Sequence, residues 1–397
     1  MKEDSEEYIL VDNHENMDLV IRSLACKPQI AIDTEFVRIS TLHPIVALVQ
    51  LNDGENTFLV DPIMLDKSEM DRFWRALVES DSLFIFFAMH EDLDLINFYA
   101  EKLPKNIVDL QWMAGFVGSS VKLGLAAVIK NFLDITILKD QTTSIWMQRP
   151  LTHDQLRYGA VDVKYLIQLY ELMKQKIDEL SNTDLFNQDL KLQIEHAIVP
   201  FDPRLGYLKY HAESMTAAER AKLREIVNFR QKIAENENVC LKFIVPNRLL
   251  VPLCQKTIKN VISLQKMGLH WKSIRDYSKD LLNILNRKYT QADFDGILDH
   301  QIPVPEFRSE LAEKIAEVFK KFSRERNIDC VVTFSQKRVL ELIIYLGAPE
   351  ADREYLEYPL ILCSKWRYDL IKDLLQEYFP DEPVLQKLNQ QEPEISE

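Results

Sequence analysis

The stretch QIAIDTEFVR, positions 29–38, constrains this chain more than any other. Ile30, Ala31, Ile32, Phe36 and Val37 read as a buried β-strand, yet Asp33 and Glu35 interrupt it. Side chains alternate across a strand, so two carboxylates two residues apart project from the same face. Like charges at that spacing repel unless positive charge lies between them. A divalent cation would supply it, and all-oxygen ligation suits Mg²⁺ or Mn²⁺. The alternative on this stretch alone is an edge strand with both acids in solvent.

The surroundings are those of an α/β domain. Apolar, β-branched runs recur at 8–11, 30–37, 46–51, 58–60 and 83–88, and NDGEN (52–56) is turn chemistry, which predicts a hairpin over 46–60. Helical periodicity follows at 16–24, 70–77 and 91–100, so a mixed sheet with flanking helices is expected. From about 108 the strand pattern fades, and 124–132 and 152–180 read as helices, the second opened by a Thr152–Gln155 capping box. VPFDPRLGY (199–207) and DHQIPVPEF (299–307) are Pro-bearing breaks around a stretch that is helical over 213–285, and a further helical stretch runs over 309–379. The expected organisation is an α/β domain over 1–198, helical domains over 209–290 and 305–382, and an acidic tail over 383–397 that ends in the polar QQEPEISE.

Composition narrows the function classes. With 397 residues, 47% of them hydrophobic, the chain can bury two or three cores. No apolar run approaches the ~20 residues of a membrane helix. The N-terminal MKEDSEEYIL is acidic and lacks the layout of a signal peptide. Cys26, Cys240, Cys254, Cys330 and Cys363 are scattered and odd in number, which argues against a disulfide framework and a zinc site. A cytoplasmic, reduced, monomeric protein with no membrane association is expected. Net charge is −14, but residues 201–290 hold 17 Lys+Arg against 8 Asp+Glu, a local +9. That asymmetry hints at nucleic-acid contact.

Two further stretches answer the question that Asp33 and Glu35 raise. FFAMHEDLDLI (86–96) runs from a strand into a helix, with Asp92 in the first turn, close to the strand end where α/β sites gather. LRYGAVDVKYL (156–166) puts Tyr158 and Asp162 on one face of a helix. Each alone has a plain alternative: a helix-start acid, and an amphipathic helix with a tyrosine at its rim.

Together, the three stretches resemble the three motifs of the DEDD exonucleases, with the tyrosine of the DEDDy branch. DTEFVR, VQL (49–51), HEDLDL, VDLQ (108–111) and WMQRPLTHDQLRYGAVDVKYL (146–166) are similar to the ribonuclease D family, over about 28–180. The resemblance implies a ribonuclease H-like mixed sheet with flanking helices, followed by all-α helical domains. It implies a 3′–5′ exoribonuclease that hydrolyses RNA 3′ ends to nucleoside 5′-monophosphates, with tRNA precursors or other small structured RNA as partners. It implies two divalent ions (Mg²⁺ or Mn²⁺), with Asp33, Glu35, Asp92 and Asp162 as metal-binding carboxylates and Tyr158 orienting the attacking water. Paired ions can stabilise both the attacking and the leaving oxygen of an in-line displacement. A tyrosine of pKa ~10 is a poor base at neutral pH, so positioning is the expected role.

LREIVNFRQKIAENENVCLKFIVPNRLLVPLCQ (223–255) resembles the HRDC domain, a helical nucleic-acid-binding module, and NIDCVVTFSQKRVLELI (327–343) a weaker second copy. Arg224, Arg230, Lys232, Arg248 and Lys256, with Lys139 of the loop before Trp146, are the expected phosphate contacts. Two departures stand out: TLHP (41–44) replaces the family's aromatic pair with Leu42 and His43, and Ile145 replaces an Asp before Trp146. His90 is expected as a structural histidine, hydrogen-bonded at its strand–helix junction, and Arg149 to Thr152 as the segment that sets the entry of the Tyr158 helix. The rival readings are a DEDDy exonuclease acting mainly on DNA and a non-catalytic RNA-binding scaffold; the intact acids and Tyr158 argue against the scaffold.

Overall fold

The strand carrying Asp33 and Glu35 lies inside a sheet, not at its edge. The computed structural model describes residues 8–137, 145–210, 214–298, 300 and 302–390. Its strands are β1 (Ile9–Val11), β2 (Gln29–Val37), β3 (Ile45–Asn52), β4 (Thr57–Val60), β5 (Leu83–Phe86) and β6 (Asn106–Asp109), in the order β1-β4-β3-β2-β5-β6. β2 pairs antiparallel with β3 and parallel with β5, and β3–β4 is the predicted hairpin. The edge-strand alternative for the two acids is therefore excluded. β2 also outruns β5: the β5 ladder stops at Ala31↔Ile85, while the β3 ladder continues to Val37. Asp33 and Glu35 thus sit where one neighbour has ended, and a bulge after Glu35 bends the strand there.

Helices cover both faces. α1 (His14–Cys26), α2 (Lys67–Glu79) and α3 (His90–Ala100) bury Ile30 and Ile32 from one side. α4 (Leu110–Phe116), α5 (Leu125–Leu133), α6 (His153–Lys164) and α7 (Leu166–Glu179) cover the other face, where Ala31 lies, and α8 (Thr183–Ala197) follows. The helix expected over 152–180 is two helices, broken at Tyr165, whose φ −104° and ψ −2° depart from ideal helix values. β6 was not expected because only two apolar residues, Ile107 and Val108, lie between the polar Asn106 and Asp109.

Residues 213–285 are not continuously helical. They form α9 (Ala217–Glu237), α10 (Leu241–Ile244), α11 (Asn247–Gln255), α12 (Val261–Lys266) and α13 (Trp271–Asn286). Asn238, at φ 48°, caps α9, and Gly268, at φ 87°, separates α12 from α13. They enclose their own core, with Leu223, Ile226, Leu250, Leu253 and Leu281 fully buried. A third core, around Leu311, Phe319, Leu342 and Leu375, belongs to α14 (Arg308–Arg326), α15 (Cys330–Thr333), α16 (Gln336–Gly347), α17 (Leu360–Cys363), α18 (Lys365–Tyr378) and α19 (Pro383–Gln390). α19 corrects the expectation that the acidic tail begins at 383: its Leu385 is 2% exposed in that core. Among the described residues no helix is long and apolar enough to cross a membrane.

Both helical regions are fastened to the α/β domain. The Cys240 amide donates to the Ser40 carbonyl (2.8 Å), and the His43 amide to Asn238 Oδ1 (2.9 Å). The last region is held by Arg367, whose guanidinium forks onto Asp189 of α8 (Nη2–Oδ2 2.9 Å) and also donates to the Val332 and Thr333 carbonyls. Asp189 also accepts from Trp112 Nε1 at 2.9 Å. Arg367 and Asp189 side chains are 4% and 1% exposed, so removing one strands the other charge in the interior. Arg367→Met is expected to cost about 3–5 kcal/mol of stability, and the double variant Arg367→Met/Asp189→Leu less than Arg367→Met alone. Equilibrium denaturation of the variants checks this; a double variant no better than the single one would contradict it.

Candidate active site

Strand alternation distributes the acids. Asp33 and Glu35 share the face of Ala31, on which α6 packs; Thr34 points the other way, and its hydroxyl donates to Asp92 Oδ1 of α3 at 2.5 Å. The strand end is thereby linked to both helices that carry the remaining acids. Asp162 is buried on α6, and the Tyr158 hydroxyl, one turn earlier, is hydrogen-bonded to its carboxylate. Asp33, Thr34, Glu35, Tyr158 and Asp162 line one cleft of about 280 Å³, together with Phe87, Gly124, Leu125 and Leu166.

Each helix is set by local chemistry. α6 opens at Thr152, whose side chain and Gln155 form the predicted reciprocal capping box. Before it, Arg149 donates to both Asp61 oxygens (2.6 and 2.8 Å) and to the Ala47 carbonyl, anchoring the entry to the sheet as expected of that segment. Trp146 packs its ring 6.0 Å from that of Tyr158. Gly159 lets α6 close on β3: a Cβ there would lie 3.1 Å from Leu48 and 3.3 Å from Gln50.

The turn that aims Asp92 is strained. Ala88 takes φ 68°, a left-handed value unusual for a residue with a Cβ. Asp109 holds it: its carboxylate accepts from the Ala88 amide (3.0 Å) and the Met89 amide (3.2 Å), and also caps α4 through the Gln111 amide (2.8 Å). Asp109 was missed as a site residue, although VDLQ was one of the family-like segments. Gln50 was missed in the same way. It lies opposite Asp33 in the β2–β3 register and is fully buried, with both amide atoms without a hydrogen-bond partner. A buried amide in that condition costs on the order of 1–3 kcal/mol, and here the cost falls beside the acids.

Electrostatics mark the cluster. Burial, then Asp92, Asp162 and Glu35, hold the Asp33 carboxyl well above the usual carboxylate range. Burial, with Asp109 adding, pushes Asp92 up to about 7 against the lowering bond from Thr34. Burial and the charges of Asp162, Glu35 and Asp33 raise the Tyr158 hydroxyl above its ordinary value. The four carboxylates, of which Asp33 and Asp92 are held above the usual carboxylate range, are an all-oxygen donor set suited to hard divalent ions. Among the described residues no three His, Cys, Asp or Glu side chains converge at ligand distance.

The other sequence-predicted residues divide. Arg230 is 1% exposed and donates to the Val245 carbonyl and Asn247 Oδ1, so it is a core residue and not a phosphate contact. Arg224 spends its guanidinium on the carbonyls of Asp293, Asp295 and Gly296. Lys232, Arg248 and Lys256 are exposed. Lys139 lies outside the described residues. His90 is exposed, and no hydrogen bond to it occurs among the described residues, contrary to expectation; the junction is held by Asp109 instead. Leu42 packs into the core around Leu223, a contact between domains, whereas His43 stacks on Phe98 of α3 at 4.1 Å, a contact within the α/β domain.

Residues 8–178 match the family described as 3′-5′ exonuclease, and residues 219–285 the HRDC domain. The chain is 29% identical to ribonuclease D of Haemophilus influenzae over 287 residues, 71% of each chain. It is 24% identical to ribonuclease D of Escherichia coli over 384 residues, covering 94% of this chain and 99% of that one. The crystal structure of the Escherichia coli enzyme superposes with a TM-score of 0.82 at 21% identity, covering 96% and 99%. A Bifidobacterium adolescentis protein superposes at 0.61 and 15%, covering 96% of each chain.

The raised carboxyl groups give a signed pH dependence. Between the unfolded value of ~3.9 and the folded value of about 7, folded Asp92 binds more protons than the unfolded chain. Metal-free protein is therefore expected to lose stability as pH rises from 4 to 7, by a few kcal/mol from this group. In EDTA, Asp92→Asn should be more stable than the wild type at pH 8, with the gap closing towards pH 4. Urea titrations at both pH values check this; an equal gap at both would contradict it.

Proposed function

We propose, for a chain that belongs to the ribonuclease D family and is a 3′–5′ exoribonuclease, that it removes nucleoside 5′-monophosphates one at a time from the 3′ ends of small structured RNA such as tRNA precursors, at the cleft between β2, α3 and α6. The observation that carries this reading is the gathering of Asp33, Glu35 and Asp162, with the Tyr158–Asp162 hydrogen bond, at one cleft, and of Asp92 behind Thr34. Divalent ions, two of them and Mg²⁺ or Mn²⁺ by donor chemistry, would supply positive charge at the attacking and leaving oxygens.

The chain's own groups do the rest. Asp33 and Glu35 present carboxylates from a strand that cannot rotate. Asp162 and Asp92 approach from two helices on opposite faces of the sheet, so the site closes only while both helices stay docked. Tyr158 lends its hydroxyl. Its surroundings oppose ionisation, so it stays a neutral phenol and orients water without removing its proton. The strongly raised carboxyl of Asp33 reflects the same crowding.

Two measurements test this. With matched 3′-labelled substrates, RNA should be shortened to mononucleotides in Mn²⁺ and left intact in EDTA; faster loss of the DNA, or cleavage that persists in EDTA, would overturn the reading. Tyr158→Phe keeps the ring against Trp146 and removes only the hydroxyl. It should lower kcat ~10²–10⁴-fold. RNA affinity in EDTA should hold within about threefold. Unchanged single-turnover cleavage would show that Tyr158 does not position the water.

A further inference from the structure

We infer that α10 and the start of α13 form a stacking platform for the single-stranded RNA just upstream of the 3′ end. This rests on the exoribonuclease reading and gives the 219–285 region a specific contact surface. Phe243 and Trp271 are large aromatics 45% and 59% exposed. The segments that carry them are joined, because Ser273 Oγ, two residues after Trp271, donates to the Phe243 carbonyl at 2.6 Å. Cations attend both rings: Lys242 lies 5.1 Å from the Phe243 ring, and Arg275 and Lys272 lie 5.3 and 5.9 Å from that of Trp271. Arg275 also pairs with Asp276, which leaves Lys242 and Lys272 as the less committed charges.

Exposed rings interleaved with lysines are the surface that a single strand recognises. Bases stack on the rings whatever their sequence, and phosphates meet the cations. The local +9 charge of residues 201–290 draws the same ligand. Duplex RNA, with its bases already stacked, has nothing to offer the rings.

The platform is also tied within a bounded distance of the acids. The Cys240 amide is bonded to the Ser40 carbonyl, so α10 is docked on the loop that leaves β2. Five residues run from Glu35 to Ser40 and three from Cys240 to Phe243. Chain reach therefore limits the distance from Glu35 to Phe243 to at most roughly 35 Å. At ~3.4 Å per stacked nucleotide that is about ten nucleotides. A strand with its 3′ end in the cleft reaches the platform within that length.

The test uses the full chain, fluorescence anisotropy in EDTA and cleavage in Mn²⁺. Phe243→Ala/Trp271→Ala should bind a 15-nucleotide oligoadenylate at least tenfold more weakly, from a loss of ~1–3 kcal/mol per stacked base. The ring-keeping pair Phe243→Tyr/Trp271→Phe should stay within about threefold of the wild type. Blunt duplex RNA should lose little affinity in either variant. Cleavage of a trinucleotide, too short to span, should be unchanged in both variants. The inference is overturned if the alanine pair binds the oligoadenylate as the wild type does, if the ring-keeping pair loses as much, or if duplex binding falls equally. A wild type that fails to cleave the trinucleotide or the 15-mer would instead defeat the exoribonuclease reading, and the binding arms would still decide the platform.

Discussion

Mutual repulsion among carboxylates at the free end of β2 is the constraint on which the rest of the molecule depends. A central strand can present Asp33 and Glu35 to the α6 face only where its β5 neighbour has already stopped. A third acid arrives on α6 and a fourth on α3, behind the sheet, through Thr34. Left metal-free, the cluster favours protonation over charge, as the raised Asp33 and Asp92 groups show. Its geometry is therefore held from outside, by elements with no charge of their own in the cleft. Arg149 fixes the α6 entry, Asp109 restrains the strained turn at Ala88, and Gly159 allows α6 close to β3. Strain and unmet polarity gather around the acids, where function opposes stability.

The helical regions continue the same logic. The loop leaving β2 places Leu42 in the second core and accepts α10 at Ser40. The HRDC-like region is thus joined to the strand that carries the acids, not tethered by a free linker. On the other side, the buried Arg367–Asp189 pair and Trp112 fix the last region against α8 and α4. That pair is specific more than stabilising, because the desolvation of two charges offsets most of their attraction.

Much of this was legible in the sequence, for definite reasons. Short apolar, β-branched runs marked β1 to β5, and the capping box at Thr152 was readable because both partners lie within four residues. Asp33 and Glu35 stood out as carboxylates inside an apolar strand, whereas Asp92, Tyr158 and Asp162 each had a plain alternative and stood out only through the combined motifs. What escaped depended on long-range partners. Asp109 looks like an ordinary strand-end acid until Ala88 and Met89 fold against it. Arg230 looked like a phosphate contact because charge predicts exposure, yet Val245 and Asn247 satisfy it inside the core. The exposed Phe243 and Trp271 could not be told from core aromatics by periodicity. Only their burial separates them.

The central claim is that the four carboxylates exist to hold divalent ions, and binding tests it without any substrate. Metal-stripped full-length protein should be titrated with Mn²⁺ by calorimetry, beside Asp33→Asn and Asp162→Asn. The account predicts about two ions per wild-type chain, proton release on binding at pH 6.5 because Asp33 and Asp92 must ionise, and loss of the tighter site in both variants. Wild-type stoichiometry and affinity retained in Asp33→Asn would contradict it.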